Sequence, residues 1–313
     1  MKKSFTLSVS QDTLLKGICW EPDNIKKAKG ILLICHGMAE HIKRYDGFAT
    51  FLSKNNFIVI GYDQRGHGMT LNSMDDMGYM SDVDNFEAMI GDLYGVSDYA
   101  KQTYPTLPLI VMGHSMGSFI LQRFIELYGP SIQGAIFSGS ALNKGFLIHA
   151  GHTMAAIITK VKGRRYRSKL IDSMSLGPFN KPFRPNRTKV DWLSRDEKEV
   201  DKYVADSYCG KLFTVSYFLD MTKCFMVINK NYEIILQDLP IYLFSGAMDP
   251  VGGCGKLSTK LYQKFLKIGI KDVTFKLYPE GRHEMLNEIN KLEVYQDVLT
   301  WLEAHVKAKK ESK

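Results

Sequence analysis

The chain has 313 residues, 45% of them hydrophobic and 24% charged, with a formal net charge of +8. This balance suits a soluble globular protein and excludes a disordered, collagenous or repeat-built chain. No stretch approaches the roughly 20 apolar residues of a membrane span, and no nucleic-acid motif accompanies the positive charge, so nucleic acid is not an expected partner.

In chain order, Phe5, Leu7 and Val9 alternate with polar residues, the pattern of a strand and not of a secretion signal. Short apolar runs at 31–35, 57–60, 109–112, 135–137, 241–244 and 273–277 end close to Gly or Pro. Runs this short and this apolar predict strands buried on both faces, as in a parallel sheet. Helical patterns lie at 45–54, 85–104, 116–128, 256–267 and 288–306. The alternation predicts an α/β fold with a mostly parallel central sheet and helices on both faces. Ligands of such sheets bind at the carboxyl ends of the strands.

The alternation stops after Ser140 and resumes at Pro240. The expected organisation is a core of residues 1–140 and 239–313 with a helical cap, 141–238, inserted between two strands. Apolar stretches at 146–148 and 154–158 and a basic cluster at 160–169 give this cap a face suited to an acyl tunnel or a membrane surface. His149 and His152 fall at helical spacing in it and read as polar cap surface. Cys19, Cys35, Cys209, Cys224 and Cys254 are odd in number and form no C-x-x-C pair. They read as reduced thiols of a cytoplasmic protein, with no metal site and no cofactor expected.

Gly113-His114-Ser115-Met116-Gly117 matches G-x-S-x-G, follows a predicted strand and opens a predicted helix. That is the setting of a nucleophile elbow, which lifts a serine hydroxyl clear of the sheet edge. A serine nucleophile needs a base, and the base an orienting carboxylate, in the chain order acid then histidine. Asp249 follows the strand at 241–244, and His283 the strand at 273–277. The expected catalytic residues are therefore Ser115, Asp249 and His283. For the oxyanion, the backbone N–H of Met116 lies at a helix start, and that of Met38 follows the strand at 31–35.

His36-Gly37-Met38-Ala39-Glu40-His41 with Arg44-Tyr45 resembles the H-G-x-x-E-H…R-Y segment of monoacylglycerol lipases and bacterial lysophospholipase-like hydrolases, a serine aminopeptidase S33-type family. Asp63-Gln64-Arg65-Gly66-His67-Gly68, the Gly113–Gly117 elbow, Ser245–Asp249 and Gly281–Glu284 resemble further segments of the same family. Ser118 stands where some members carry a further glycine. The resemblance implies an α/β-hydrolase fold, hydrolysis of a single-chain acyl ester, no cofactor, and Met38 and Met116 as oxyanion donors. It leaves three substrate classes: monoacylglycerols, lysophospholipids with the basic cap reading phosphate, and peptides whose ammonium is held by Asp191, Asp196, Glu197, Glu199, Asp201 or Asp206. A non-catalytic receptor on the same fold would not need all three triad residues.

Overall fold

The computed structural model describes residues 1–10, 13–80, 85–142, 145–228 and 230–306. Its elements run β1 (Lys2–Ser10), β2 (Thr13–Trp20), β3 (Gly30–Cys35), α1 (Asp46–Lys54), β4 (Phe57–Asp63), α2 (Asn85–Thr103), β5 (Leu109–His114), α3 (Met116–Tyr128) and β6 (Gly134–Ser138). Then come α4 (Phe146–Lys162), α5 (Lys169–Ser175), α6 (Glu197–Ala205) and α7 (Val215–Ile228). The chain closes with β7 (Ile241–Gly246), α8 (Lys256–Lys267), β8 (Val273–Tyr278) and α9 (Lys291–His305).

The eight strands form one sheet in the order β1-β2-β4-β3-β5-β6-β7-β8. β1 pairs antiparallel with β2, and β2 with β4; the other pairings are parallel. Successive residues of β3 serve opposite faces. Ile31, Leu33 and Cys35 enter one core with Ile120 and Phe124 of α3 and Leu261 and Phe265 of α8, while Leu32 and Ile34 enter the other with Phe48 of α1 and Val298 of α9. Two cores sharing one sheet explain why these strands read as unbroken apolar runs. Each such side chain contributes about 1.5–3 kcal/mol on burial, whereas an exposed ion pair such as Lys29–Glu303 contributes at most about 1 kcal/mol. The sheet is therefore held by its apolar faces.

β2 has no counterpart among the predicted strands. Lys16 and Gly17 interrupt its apolar residues, so neither alternation nor a continuous run is legible. α9 begins at Lys291, three residues after the predicted helix start, because Met285–Asn287 forms a separate 3₁₀ turn.

Among the described residues between β6 and β7 there is no strand, only α4 to α7 and 3₁₀ turns. α7 places Val215, Phe218 and Ile228 in the same core as α3, so this segment is seated on one side of the sheet. His152 of α4 hydrogen-bonds Thr222 of α7 (Nδ1 to Oγ1, 3.1 Å). No helix among the described residues is long and apolar enough to cross a membrane.

Candidate active site

β5 ends at His114 and α3 starts at Met116, leaving Ser115 alone in the turn with φ 51° and ψ −118°. Backbone strain of this kind costs about 1–3 kcal/mol and persists only where surrounding packing enforces it. Here the enforcement is steric. A Cβ on Gly117 would lie 2.1 Å from the Cys35 carbonyl oxygen, and one on Gly113 would lie 2.3 Å from the Gly117 carbonyl oxygen. Strand and helix thus meet at a distance only glycine permits.

Asp249 follows β7 and His283 follows β8, and both are buried. His283 Nδ1 lies 2.9 Å from Asp249 Oδ1. The other carboxylate oxygen accepts from Ser245 Oγ at 2.8 Å, and Oδ1 also accepts the Val251 N–H at 2.9 Å. Burial alone would raise the Asp249 pKa, but the imidazole and these donors overcome it and hold the carboxyl below its usual value. Burial likewise opposes charge on His283, yet Asp249 reverses the balance and its pKa is raised. With Asp249 accepting at Nδ1, that nitrogen carries the proton and Nε2 is left as the basic atom.

The segment between β6 and β7 clamps this histidine. The Trp192 carbonyl accepts the His283 N–H at 3.3 Å, and the indole ring sits 5.0 Å from the imidazole. The His114 ring lies 4.7 Å from His283. Gly139, with φ +58°, leaves room for the imidazole: a Cβ there would stand 2.9 Å from His283 Cε1 and 3.0 Å from Nδ1.

Ser115, His283, Met38 and Met116 all border one cavity of about 590 Å³. Its remaining wall is mainly apolar, with Phe119 from α3, Leu257 from α8, and Ile148, Met154, Phe179, Phe218 and Phe225 from the segment between β6 and β7. Met116 is the first residue of α3, so its N–H has no intrahelical acceptor. The cavity volume falls within the range of small-molecule sites.

Sequence reading missed a buried ionic cluster beneath this site. Arg44 binds Glu284 through two hydrogen bonds of 2.5 and 2.6 Å and Glu40 at 3.0 Å. Glu40 also accepts the Gly37 N–H at 2.6 Å and the Tyr45 hydroxyl at 2.8 Å. One guanidinium between two carboxylates leaves the cluster at net −1, and both carboxylates favour a proton on His283. Glu40 and Arg44 stand in a motif, but Glu284 is 240 residues from Arg44, a separation no local pattern bridges.

Asp63 ties loops together, accepting the N–H groups of Ile42 and Met69, each at 2.7 Å. His36 is buried beside it. Its Nε2 accepts the Gln64 N–H at 3.0 Å, which makes it the neutral tautomer donating from Nδ1 to the Gly37 carbonyl at 2.7 Å. Burial lowers His36 and His67 to about 3, and burial with the charge of His283 lowers His114 to about 4. These three imidazoles set an acid sensitivity. Below an unfolded-state pKa of about 6.5, the unfolded chain takes up three protons that the folded chain refuses. Stability should then fall by about 1.4 kcal/mol per pH unit for each, or about 4 kcal/mol per pH unit for the three together, until pH nears their folded pKa values. His283 acts in the opposite sense, since its raised pKa gives stability that is full below the unfolded value and lost as pH rises through the folded one. Urea midpoints measured from pH 6.5 down to about 4.5 should drop steeply; a flat profile would contradict this account.

Comparison with known proteins supplies the family. The profile of the serine aminopeptidase S33 family matches residues 26–290. The chain is 26% identical over 296 residues to the monoacylglycerol lipase of Mycolicibacterium smegmatis, covering 92% of each chain. It is 23% identical over 286 residues to human monoglyceride lipase, covering 90% of this chain and 84% of that one. Among solved structures, a thermostable carboxyl esterase from Bacillus coagulans superposes with a TM-score of 0.89 at 21% identity, over 97% of this chain and 99% of that one. A soluble variant of Saccharomyces cerevisiae monoglyceride lipase bound to a substrate analogue superposes with a TM-score of 0.74 at 21% identity, over 97% and 95%. The fold is that of the α/β-hydrolases, and the chain belongs to the serine aminopeptidase S33 family.

Proposed function

We propose that the protein is a serine esterase acting on monoacylglycerols, with Ser115, His283 and Asp249 as its catalytic triad. The observation that carries the reading is that His283, held by Asp249 at 2.9 Å, borders the same cavity as the strained Ser115. Ser115 Oγ attacks the ester carbonyl as His283 Nε2 takes its proton. The N–H groups of Met38 and Met116 hold the oxyanion, each worth roughly 3–4 kcal/mol at the transition state. The proton passes to the leaving glycerol oxygen, and water activated by His283 then releases the fatty acid.

The apolar wall of the cavity supports an acyl chain as the bound group. The relatives named monoacylglycerol or monoglyceride lipase support glycerol as the alcohol. Peptide ammonium recognition is disfavoured. Asp191, Asp196, Glu197, Glu199, Asp201 and Asp206 are absent from the cavity wall. Asp191 closes a turn on Thr188, Asp196 caps α6, and Glu199, Asp201 and Asp206 pair with Lys291, Arg187 and His41.

Residues 141–238 act in this reading as the cap. Phe146, Val161, Ile157 and Leu170 are exposed large apolar residues beside Lys160, Lys162 and Lys169, which suits contact with an anionic lipid surface. Five free cysteines fit a reducing, cytoplasmic setting. Replacing Val161 and Leu170 by aspartate should abolish co-sedimentation with anionic vesicles; unchanged binding would remove that contact from the proposal.

Turnover of a monoacylglycerol, a lysophospholipid with the same acyl chain and an aminoacyl amide tests the substrate class. The monoacylglycerol should be preferred, and a dominant amidase activity would overturn the reading. Along a series of monoacylglycerols, kcat/KM should rise by up to about fourfold per methylene, equivalent to about 0.8 kcal/mol each, until the cavity is full. Gly139→Ala should lower kcat/KM by roughly a hundredfold, because its Cβ displaces the His283 ring. Normal kinetics in that variant would contradict the assigned position of the base.

A further inference from the structure

A second cluster of chemistry-bearing side chains lies where the inserted segment meets the core. His41 follows the loop that carries Met38, and Asp206 and Cys209 lie in the turn after α6. His41 Nε2 is 2.8 Å from Asp206 Oδ2, and one ligand atom from each of His41, Asp206 and Cys209 lies within 4.8 Å of the others. The turn holds this arrangement: the Cys209 N–H donates to the Asp206 carbonyl at 3.1 Å, and the Tyr208 N–H donates to Asp206 Oδ1 at 2.8 Å. Oδ2 is thereby aimed at His41. The Gly210 N–H and the Tyr203 hydroxyl both donate to the Ala39 carbonyl at 3.0 Å, docking the turn on the core loop.

We infer that His41, Asp206 and Cys209 form a binding site for a thiophilic divalent cation, Zn²⁺ foremost. Imidazole, carboxylate and thiolate are a donor set that zinc accepts, and three protein ligands leave a fourth position for water. His41 and Cys209 are buried, while Asp206 is partly exposed and borders, with His41, an open groove that gives solvent access. Binding breaks the Cys209 S–H bond, sends its proton to water and forms the sulfur–metal bond; no oxidation occurs. The hydrogen bond between His41 and Asp206 opens by roughly an ångström to admit the ion, given metal–ligand distances of about 2.0–2.3 Å. The bound ion would fasten the inserted segment to the loop bearing Met38. This inference does not depend on the esterase reading.

Titrating the purified, chelator-treated protein with Co²⁺ tests it. Wild-type protein should take up one ion per chain and develop a near-ultraviolet thiolate-to-cobalt charge-transfer band. Zn²⁺ should abolish the band by displacement and raise Tm by roughly 3–6 °C at saturating concentration. Cys209→Ser, which keeps the side-chain volume, should lose both the band and the Zn²⁺ shift, and its metal-free Tm serves to show that it folds. His41→Gln should weaken Co²⁺ binding at least tenfold, and Cys254→Ser, at the exposed cysteine, should behave as wild type. A wild-type titration without the band, or a band that survives in Cys209→Ser, would leave only a hydrogen-bonded His–Asp pair beside a thiol and overturn the inference.

Discussion

Alanine in place of Ser115 or His283 is expected to lower kcat by roughly five to six powers of ten, and the double substitution should lower it little further. Residues that act as one unit are strongly non-additive, since a base without its nucleophile has nothing to deprotonate. Asp249→Asn should cost about 10⁴. The amide has one acceptor oxygen where the carboxylate has two, so with that oxygen kept on Ser245 its NH2 faces the Val251 N–H and His283, and it no longer fixes the proton on His283 Nδ1. KM should change little in all three variants, because the apolar wall of the cavity remains. Steady-state kinetics on protein shown to be folded by near-ultraviolet circular dichroism would check this, and turnover within a factor of ten of wild type would contradict it.

Arg44→Met is expected to be the most destabilising single change to a charge. It leaves the carboxylates of Glu40 and Glu284 buried together without their counter-ion. Breaking a buried pair in this way costs about 3–5 kcal/mol. Gly37 and Tyr45 still donate to Glu40, which limits the loss on that side. Adding Glu40→Gln and Glu284→Gln should recover most of the stability, since replacing a whole buried ionic cluster by neutral groups is often neutral. The single variant should also move the acid limb of kcat/KM to higher pH. Two uncompensated carboxylates favour a protonated His283, and the base must be neutral to act. Urea unfolding and a pH–rate profile read the two effects separately. An unchanged unfolding midpoint would show that the cluster does not carry the charge burden assigned to it.

Much of this architecture was legible in the chain because of one physical circumstance. Strands such as β3 and β5 are buried on both faces, so each writes a short unbroken apolar run. The elbow and the acid each follow such a run, whereas His283 follows β8 at the sheet edge, where Thr274 and Lys276 alternate with apolar residues and burial is only partial. β2 was not legible, because Lys16 and Gly17 break its pattern and it pairs as an antiparallel strand near the sheet edge. The clamp of Trp192 on His283 and the union of Arg44 with Glu284 were not legible either. Both join side chains about 90 and 240 residues apart, and only the folded chain brings them together. The six acidic residues considered for an ammonium pocket show the converse. Composition offered them, but their hydrogen bonds and ion pairs, that of Glu197 with Arg187 included, direct them elsewhere than the cavity. His41, Asp206 and Cys209 carry no spacing signature for the same reason, since the histidine lies 165 residues from the aspartate.

The central claim is that one hydroxyl, activated by one imidazole, forms a covalent bond to an acyl carbon. The most direct test is peptide mapping of the protein after reaction with a fluorophosphonate. The account predicts a single adduct, on Ser115, absent from Ser115→Ala and formed far more slowly in His283→Ala. A wild-type protein that remains unlabelled, or that carries its adduct on another residue, would contradict it.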